Sequence, residues 1–267
     1  MKVKILFVAD IVGKPGRRVL AQWASKLRRE HHVVIVNGEN AAGGNGITGG
    51  IVSDFIDLGV DVISGGNHSW ANRDVFSVID KEERLLRPLN YPPDADIPGR
   101  GYGIYPMREG GMIGVVNLLG RVFMKPMECP FQEARRAVEE IRRETPLILV
   151  DIHAEATSEK RALGVYLDGQ VTAVVGTHTH VQTADNRVLP GGTAYITDVG
   201  MTGPHDSVIG VKSEIILEGF LTGMPVRHKI ATGDVQLNAV SIEADSESGK
   251  ALSIERIQLK EKVEAGE

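Results

Sequence analysis

The sequence predicts an α/β fold in which two mixed β-sheets pack face to face with helices flanking them. Through the first half of the chain, short apolar runs ending in Asn, Asp or Gly alternate with longer segments carrying apolar residues at spacings of three and four. That alternation marks layered strands and helices. Late in the chain it stops. Two strand-like runs then follow one another, near 235–242 and 252–258, which suggests a second, mixed sheet packed on the first. No composition shift marks a linker, so residues 1–267 read as a single domain with length enough for a full core.

Residues 2–9 read as a buried strand, and Asp10-Ile11-Val12-Gly13-Lys14-Pro15-Gly16 as a turn with Pro15 in the first turn of a helix. That helix runs to about Glu30 and shows Val19, Trp23 and Leu27 on one face. A strand over 33–36 ends in Asn37-Gly38-Glu39-Asn40, and a glycine-rich loop precedes a helix with Ile51, Val52, Phe55 and Ile56, stopped by Gly59. The run 60–63 enters Ser64-Gly65-Gly66-Asn67-His68-Ser69-Trp70, where two glycines let polar side chains approach a ligand closely. From Arg84 to Met107 five prolines predict an ordered surface loop. Strands follow at 112–116, 147–150, 171–175 and 194–197, with helices at 131–144, 160–167 and 208–221. The charged last residues read as frayed.

The composition, 42% hydrophobic and 24% charged, is that of a soluble enzyme. A net charge of -5 argues against a nonspecific grip on nucleic acid, though metal ions can supply positive charge locally for a phosphate ester. Cys129 is the only cysteine, so an internal disulfide and a thiolate metal site are both excluded. The apolar start is too short for a signal peptide, and no apolar stretch reaches about 18 residues. The expectation is a cytoplasmic protein without membrane contact. A homo-oligomer is compatible with the sequence.

Five strand ends carry metal-binding side chains: Asp10, Glu39 with Asn40, Asn67 with His68, His153, and His178 with His180. Ligands collect at the carboxyl ends of strands in open α/β sheets, so these residues converge on one crevice. Oxygen and imidazole donors together suit iron, manganese or zinc. They are too many for one ion and about right for two that share a carboxylate. Two ions roughly 3.5–4 Å apart clamp the attacking and leaving oxygens of a phosphoryl displacement, with a bridging hydroxide as nucleophile. Singly the residues are weaker signals: Asp10 equally suits an N-cap, and a lone His153 suits a core histidine. His178 and His180, two apart, point to the same side of an extended chain. Lys160 with Ser158 and Glu159 reads either as a brace behind His153 or as a helix start. Asp198 could support the site as well. Arg17 and Arg18 read as solvated, Phe123, Met124 and Tyr102 as core or as a stack for a base, and Cys129 has no assigned role.

In order and spacing, Asp10, Gly38-Glu39-Asn40, Gly66-Asn67-His68, His153 and Gly176-Thr177-His178-Thr179-His180 resemble the calcineurin-like metallophosphoesterases. Three departures stand out: Val12 where that superfamily has histidine, Glu39 for its bridging aspartate, and Ser69 where an acid follows Asn-His. They match a narrower group, the bacterial YmdB-like phosphodiesterases, whose substrates are 2',3'-cyclic nucleotides. The resemblance extends to about residue 245. It implies a four-layer α/β/β/α sandwich. It also implies one ion on Asp10, Glu39, Asn40 and His180, a second on Glu39, Asn67, His153 and His178, and Asn40 in the role vacated at Val12. Iron is the metal it points to, with manganese or zinc admissible.

The expected activity is hydrolysis of a nucleoside 2',3'-cyclic phosphate to the 3'-phosphate, with His68 the catalytic residue that assists the leaving oxygen. Two other readings stay open: a phosphomonoesterase using the same metal site, and a metal-binding regulatory protein with little turnover.

Overall fold

The computed structural model describes residues 1–262, so the charged tail beyond them lies outside the described residues. The chain opens with β1 (Lys2–Val8), α1 (Gly13–Glu30), β2 (Val33–Asn37), α2 (Gly49–Asp57) and β3 (Val62–Ser64). A 3₁₀ turn over Arg73–Ser77 leads to β4 (Tyr102–Pro106), β5 (Met112–Leu119), α3 (Pro130–Ile141), β6 (Ile148–His153) and α4 (Thr157–Tyr166). Next come β7 (Ala173–Thr177), β8 (Arg187–Val188), β9 (Ala194–Ile196), β10 (Gly203–Asp206) and α5 (Ser213–Thr222). The long hairpin β11 (Gly233–Asp245) and β12 (Ala251–Lys260) ends the fold.

Helix α1 forms where the spacing predicts it. Val19, Leu20 and Leu27 are buried, and Arg28 and Arg29 complement the dipole at its last turn. Pro130 opens α3, where its missing N–H costs nothing. Thr48 caps α2 by accepting from the Ile51 N–H, and Gly59, at φ 87°, closes it.

One sheet runs β10-β11-β1-β2-β3, with β12 paired to β11; the other runs β4-β5-β6-β7-β9-β8. The fold is therefore α/β with two mixed sheets, as the sequence predicts, but the sheets divide the chain differently. The late strands do not build the second sheet. Strand β11 pairs antiparallel with β1, from Lys2 opposite Asp245 to Val8 opposite Ala239, and completes the first sheet. The reason lies in its two faces: Leu237 and Ala239 enter the core under the helices, while Val240, Ile242 and Ala244 enter the core between the sheets. The second sheet comes from the middle of the chain. It includes β4, inside the stretch read as a loop, where Tyr102 and Ile104 pack toward α3 while Tyr105 and Met107 face the other sheet. Prolines at both ends of that stretch hide its alternation.

Three cores stack in layers. Phe7, Ile35, Val115, Leu149 and Val175 lie between the sheets. Val19, Leu20 and Phe55 lie on the outer side of the first sheet, and Val138, Ile141 and Leu163 on that of the second. Together they give the α/β/β/α order. Strands β1, β2 and β3 are parallel, as are β5, β6, β7 and β9, so the loops that follow them gather at the sheets' carboxyl ends. Helix α5 starts five residues later than expected, after Ile209 and Gly210 take positive φ, and it buries none of its residues. No helix among the described residues is long and apolar enough to cross a membrane.

Candidate metal centre

All eight residues singled out at the strand ends come together. His153 Nε2 lies 2.8 Å from Asn67 Oδ1, 3.0 Å from His178 Nδ1 and 3.2 Å from Glu39 Oε1. One donor atom each from Glu39, His153 and His178 falls within 4.8 Å of the others. Beside this cluster, Asn40 Nδ2 is 2.9 Å from Glu39 Oε1 and 3.3 Å from His180 Nε2, and Asp10 Oδ2 is 3.9 Å from the same His180 nitrogen. Glu39 belongs to both groups. His68 stands over them: its backbone N–H donates to Glu39 Oε2 at 3.0 Å and its Nδ1 lies 2.8 Å from Asn40 Oδ1.

His178 and His180 do not form the extended bite that their spacing predicts. Strand β7 ends at Thr177, and both histidines adopt positive φ, 101° and 64°. The chain turns there, so His178 Nδ1 reaches His153 while His180 Nδ1 meets the Ile209 carbonyl oxygen at 2.9 Å. Such backbone strain in residues with side chains persists where surrounding contacts hold it, commonly at functional sites.

The glycines before Asn67 serve space rather than φ. Neither has a positive φ, but a methyl on Gly66 would overlap the Glu39 carboxylate and come within 2.7 Å of His153 Cδ2. Ser69, which stands where the resemblance has an acid, closes this turn: its Oγ accepts from the Gly66 N–H and donates to the Gly66 carbonyl. Val12 is buried at the start of α1, and the Gly13 N–H beside it donates to the Asn40 carbonyl oxygen, so Asn40 does sit next to the position without histidine.

The electrostatics of the cluster are those of a site short of positive charge. Burial pushes the Asp10 carboxyl well above the carboxylate range, and its Oδ1 is buried without a hydrogen-bond partner. Burial also opposes charge on Glu39, yet His153 and then His68 hold it well below that range. For His153 burial is again outweighed, by Glu39, Asp10 and Asp151, which raise it to about 9. Burial and the neighbouring His153 charge lower His178 to about 3. An orphaned carboxylate oxygen, carboxylates fully withdrawn from water and imidazole nitrogens facing one another all fit divalent ions of the borderline kind. One donor is turned away: Asn40 directs its oxygen at His68, so its amide has to turn over before that oxygen faces Glu39.

Behind these donors stand residues that the sequence reading missed. Asp151 is wholly buried between the sheets and accepts from Ser64 Oγ at 2.6 Å, Asn37 Nδ2 at 3.0 Å and Thr177 Oγ1 at 2.8 Å. With its hydroxyl hydrogen given to Asp151, Thr177 can only accept from His153 Nδ1, 2.9 Å away. That keeps one His153 hydrogen on Nδ1, so Nε2 is the nitrogen that offers a lone pair to the cluster once its own proton is displaced. The available signal was an acid two residues before a histidine within an apolar strand. Asn117 reaches across from the second sheet to hold Gly65 through both its N–H and carbonyl oxygen. Lys160 lies in the first turn of α4, as one reading has it, and its brace acts on Thr177 and Asp198 rather than on His153. Buried entirely, it donates to Asp198 at 2.7 Å and to the Thr177 carbonyl oxygen at 2.8 Å. Asp198 in turn takes both the N–H and the hydroxyl of Thr179, between the two histidines. Arg18 is exposed, as read, and pairs there with Glu261, while Phe123 is 90% exposed rather than core.

Two clefts meet over His68. One, about 410 Å³, runs past Glu39, His178 and His180 to Ile209, Ile216 and Ile230; the other, about 370 Å³, runs past Asn67 to Trp70, Tyr91 and Lys125.

The pattern of the YmdB-like protein family matches residues 6–257. The chain belongs to the YmdB-like family. A 2',3'-cyclic-nucleotide 2'-phosphodiesterase of Bacillus subtilis is 48% identical to this YmdB-like chain over 257 residues, 96% of each protein. A hypothetical protein from Thermus thermophilus superimposes with a TM-score of 0.90 at 40% identity, over 97% of this chain and 100% of that one. A Mycoplasma pneumoniae protein described as a novel phosphatase gives 0.90 at 34%, over 97% and 94%. The sulfate thiohydrolase SoxB of Thermus thermophilus, 14% identical with a TM-score of 0.54 over 93% of this chain and 43% of that one, shares the fold alone.

Proposed function

We propose that this protein is a dinuclear metal-dependent phosphodiesterase that opens nucleoside 2',3'-cyclic phosphates to 3'-phosphates. The observation that carries the reading is the convergence of Glu39, Asn67 and His178 on His153 Nε2, with His68 above them. The name of the Bacillus subtilis relative supports the substrate class. Asp10, Glu39, Asn40 and His180 would hold one ion and Glu39, Asn67, His153 and His178 the other, with iron favoured and manganese or zinc admissible. When bound, such ions supply Lewis-acid charge to a phosphate's oxygens and to water.

The chain's own part is to seat the phosphate, hold the donors in place and deliver a proton. Asp151, through Thr177, keeps the His153 lone pair directed inward. As water adds to phosphorus and the bond to the ribose 2' oxygen breaks, that oxygen needs a proton. To act as the acid, His68 must be the imidazolium. Its Nδ1 hydrogen is taken by an oxygen, Asn40 Oδ1 at 2.8 Å or, with that amide turned over, Glu39 Oε1 at 3.2 Å, and its Nε2 hydrogen is the one free to protonate the leaving oxygen.

Metal content and turnover of 2',3'-cyclic AMP, on the wild type and on Glu39→Ala, test the reading together. About two equivalents of transition metal with turnover lost in Glu39→Ala is the expected outcome. Turnover of a phosphomonoester alone would replace it with the phosphatase reading. Metal without turnover of either ester favours a regulatory protein. Absence of bound metal after anaerobic reconstitution would refute it.

A further inference from the structure

The smaller cleft beside His68 has a built wall. Trp70 stacks on Phe76 with ring centroids 5.2 Å apart, and its indole N–H donates to Tyr91 Oη at 2.8 Å. The Arg87 guanidinium lies 5.6 Å from the Tyr91 ring. Trp70 and Tyr91 are thereby fixed as a rigid aromatic surface before any ligand arrives. The facing wall is the loop over 121–128, fastened at both ends by buried side chains. Glu159 accepts from the Arg121 and Val122 N–H groups; Asn90 donates to the Glu128 carbonyl oxygen, and its own carbonyl accepts from Glu128. From this loop Lys125 and Met127 line the cleft, and Lys125 has no ion-pair partner among the described residues. The cleft starts at Asn67 and His68, so a group attached to a phosphate in the metal centre extends into it.

We infer that this cleft is the nucleoside subsite, with the Trp70–Tyr91 wall carrying the base and Lys125 donating to its polar edge. The inference rests on the phosphodiesterase reading and adds the residues that distinguish a nucleotide from any other diester. Its volume, about 370 Å³, is of the size that holds one small ligand. The larger cleft offers aliphatic residues and His228 but no Phe, Tyr or Trp ring on which a base could stack. Stacking on an aromatic tolerates every base, so purine and pyrimidine cyclic phosphates should both be accepted.

The test compares two substrates of the metal-loaded enzyme: 2',3'-cyclic AMP and methyl p-nitrophenyl phosphate, a diester with no nucleoside. Lys125 is exposed, so Lys125→Ala should fold; Trp70→Leu is the second variant, checked by its melting curve. The expected result is a KM for the cyclic nucleotide raised about five- to tenfold with kcat held within about twofold. The penalty on the nucleoside-free diester should be at least about fivefold smaller, and Lys125→Arg should restore most of the loss. Equal penalties on both substrates, or none on the nucleotide, would overturn the subsite. A wild type that cleaves the aryl diester and no cyclic nucleotide would instead overturn the reading on which the subsite rests, and the subsite with it.

Discussion

At the scale of single residues, the candidate metal centre is a balance of protons as well as of polar atoms. Burial opposes charge on His153, but Glu39, Asp10 and Asp151 raise it to about 9, so without ions its ring carries a proton at neutral pH. An ion bound at Nε2 has to displace that proton. Apparent affinity should therefore rise with pH, about tenfold per unit below pH 9 for each proton released, and level off above it. Calorimetric titration with manganese between about pH 6.5 and 8.5, in buffers of different ionisation enthalpy, reads both the slope and the protons released. An affinity independent of pH would mean that His153 is not a ligand. The convergence of the strand-end residues was legible because each is a polar residue at or just after the end of an apolar run, where a buried strand has no other use for it. Asp151 and Thr177 were not, since an acid or threonine near a strand end is ordinary until the second sheet is seen to bury it.

At the scale of elements, the loop that carries His178 and His180 is held by a helix from behind. Lys160 reaches from α4 into a dry interior, and its partner Asp198 fastens Thr179 between the two histidines. Gly176 leaves room for that approach: a methyl there would stand 2.7 Å from Lys160 Cδ and overlap the Thr197 carbonyl oxygen. Lys160→Met would leave the Asp198 charge buried without its cation, a loss of about 3–5 kcal/mol. The same variant should bind manganese more weakly, because the histidine loop loses its anchor. Lys160→Met with Asp198→Asn removes the stranded charge and should recover much of the stability. Denaturant melts of the three proteins decide it: a single variant costing under about 1 kcal/mol would show the pair to be incidental. Helix-start letters alone cannot reveal such an anchor, because Ser158-Glu159-Lys160 has the same pattern on a solvated helix. Helices α1 and α3 were legible for the opposite reason: their apolar faces repeat over several turns, and proline marks their first.

At the scale of the whole molecule, the centre exists only where the two sheets meet. Asp10, Glu39, Asn40 and Asn67 follow strands of the first sheet, while His153, His178 and His180 end or follow strands of the second. Which strands share a sheet was the part least readable in the sequence. Alternation reports a strand's own two faces but not its neighbour, so β11 looked like the start of a second sheet when it closes the first beside β1. Convergence of the donors nevertheless survived that error, since it depends on strand direction and not on strand order. Ions held, as proposed, by donors from both sheets would bind the docked state and not the unfolded chain, and would add to its stability by mass action. At about a hundredfold excess over Kd the gain is about 2.7 kcal/mol per site, which for a chain of this size is a rise in Tm of roughly 5–10 °C. Manganese added to chelator-treated protein should produce that rise, and Glu39→Ala, which lacks the carboxylate common to both groups, should abolish it. Bound metal with an unchanged Tm would mean that the ions bind the unfolded chain as well as the native one, and the site as drawn would have to be abandoned.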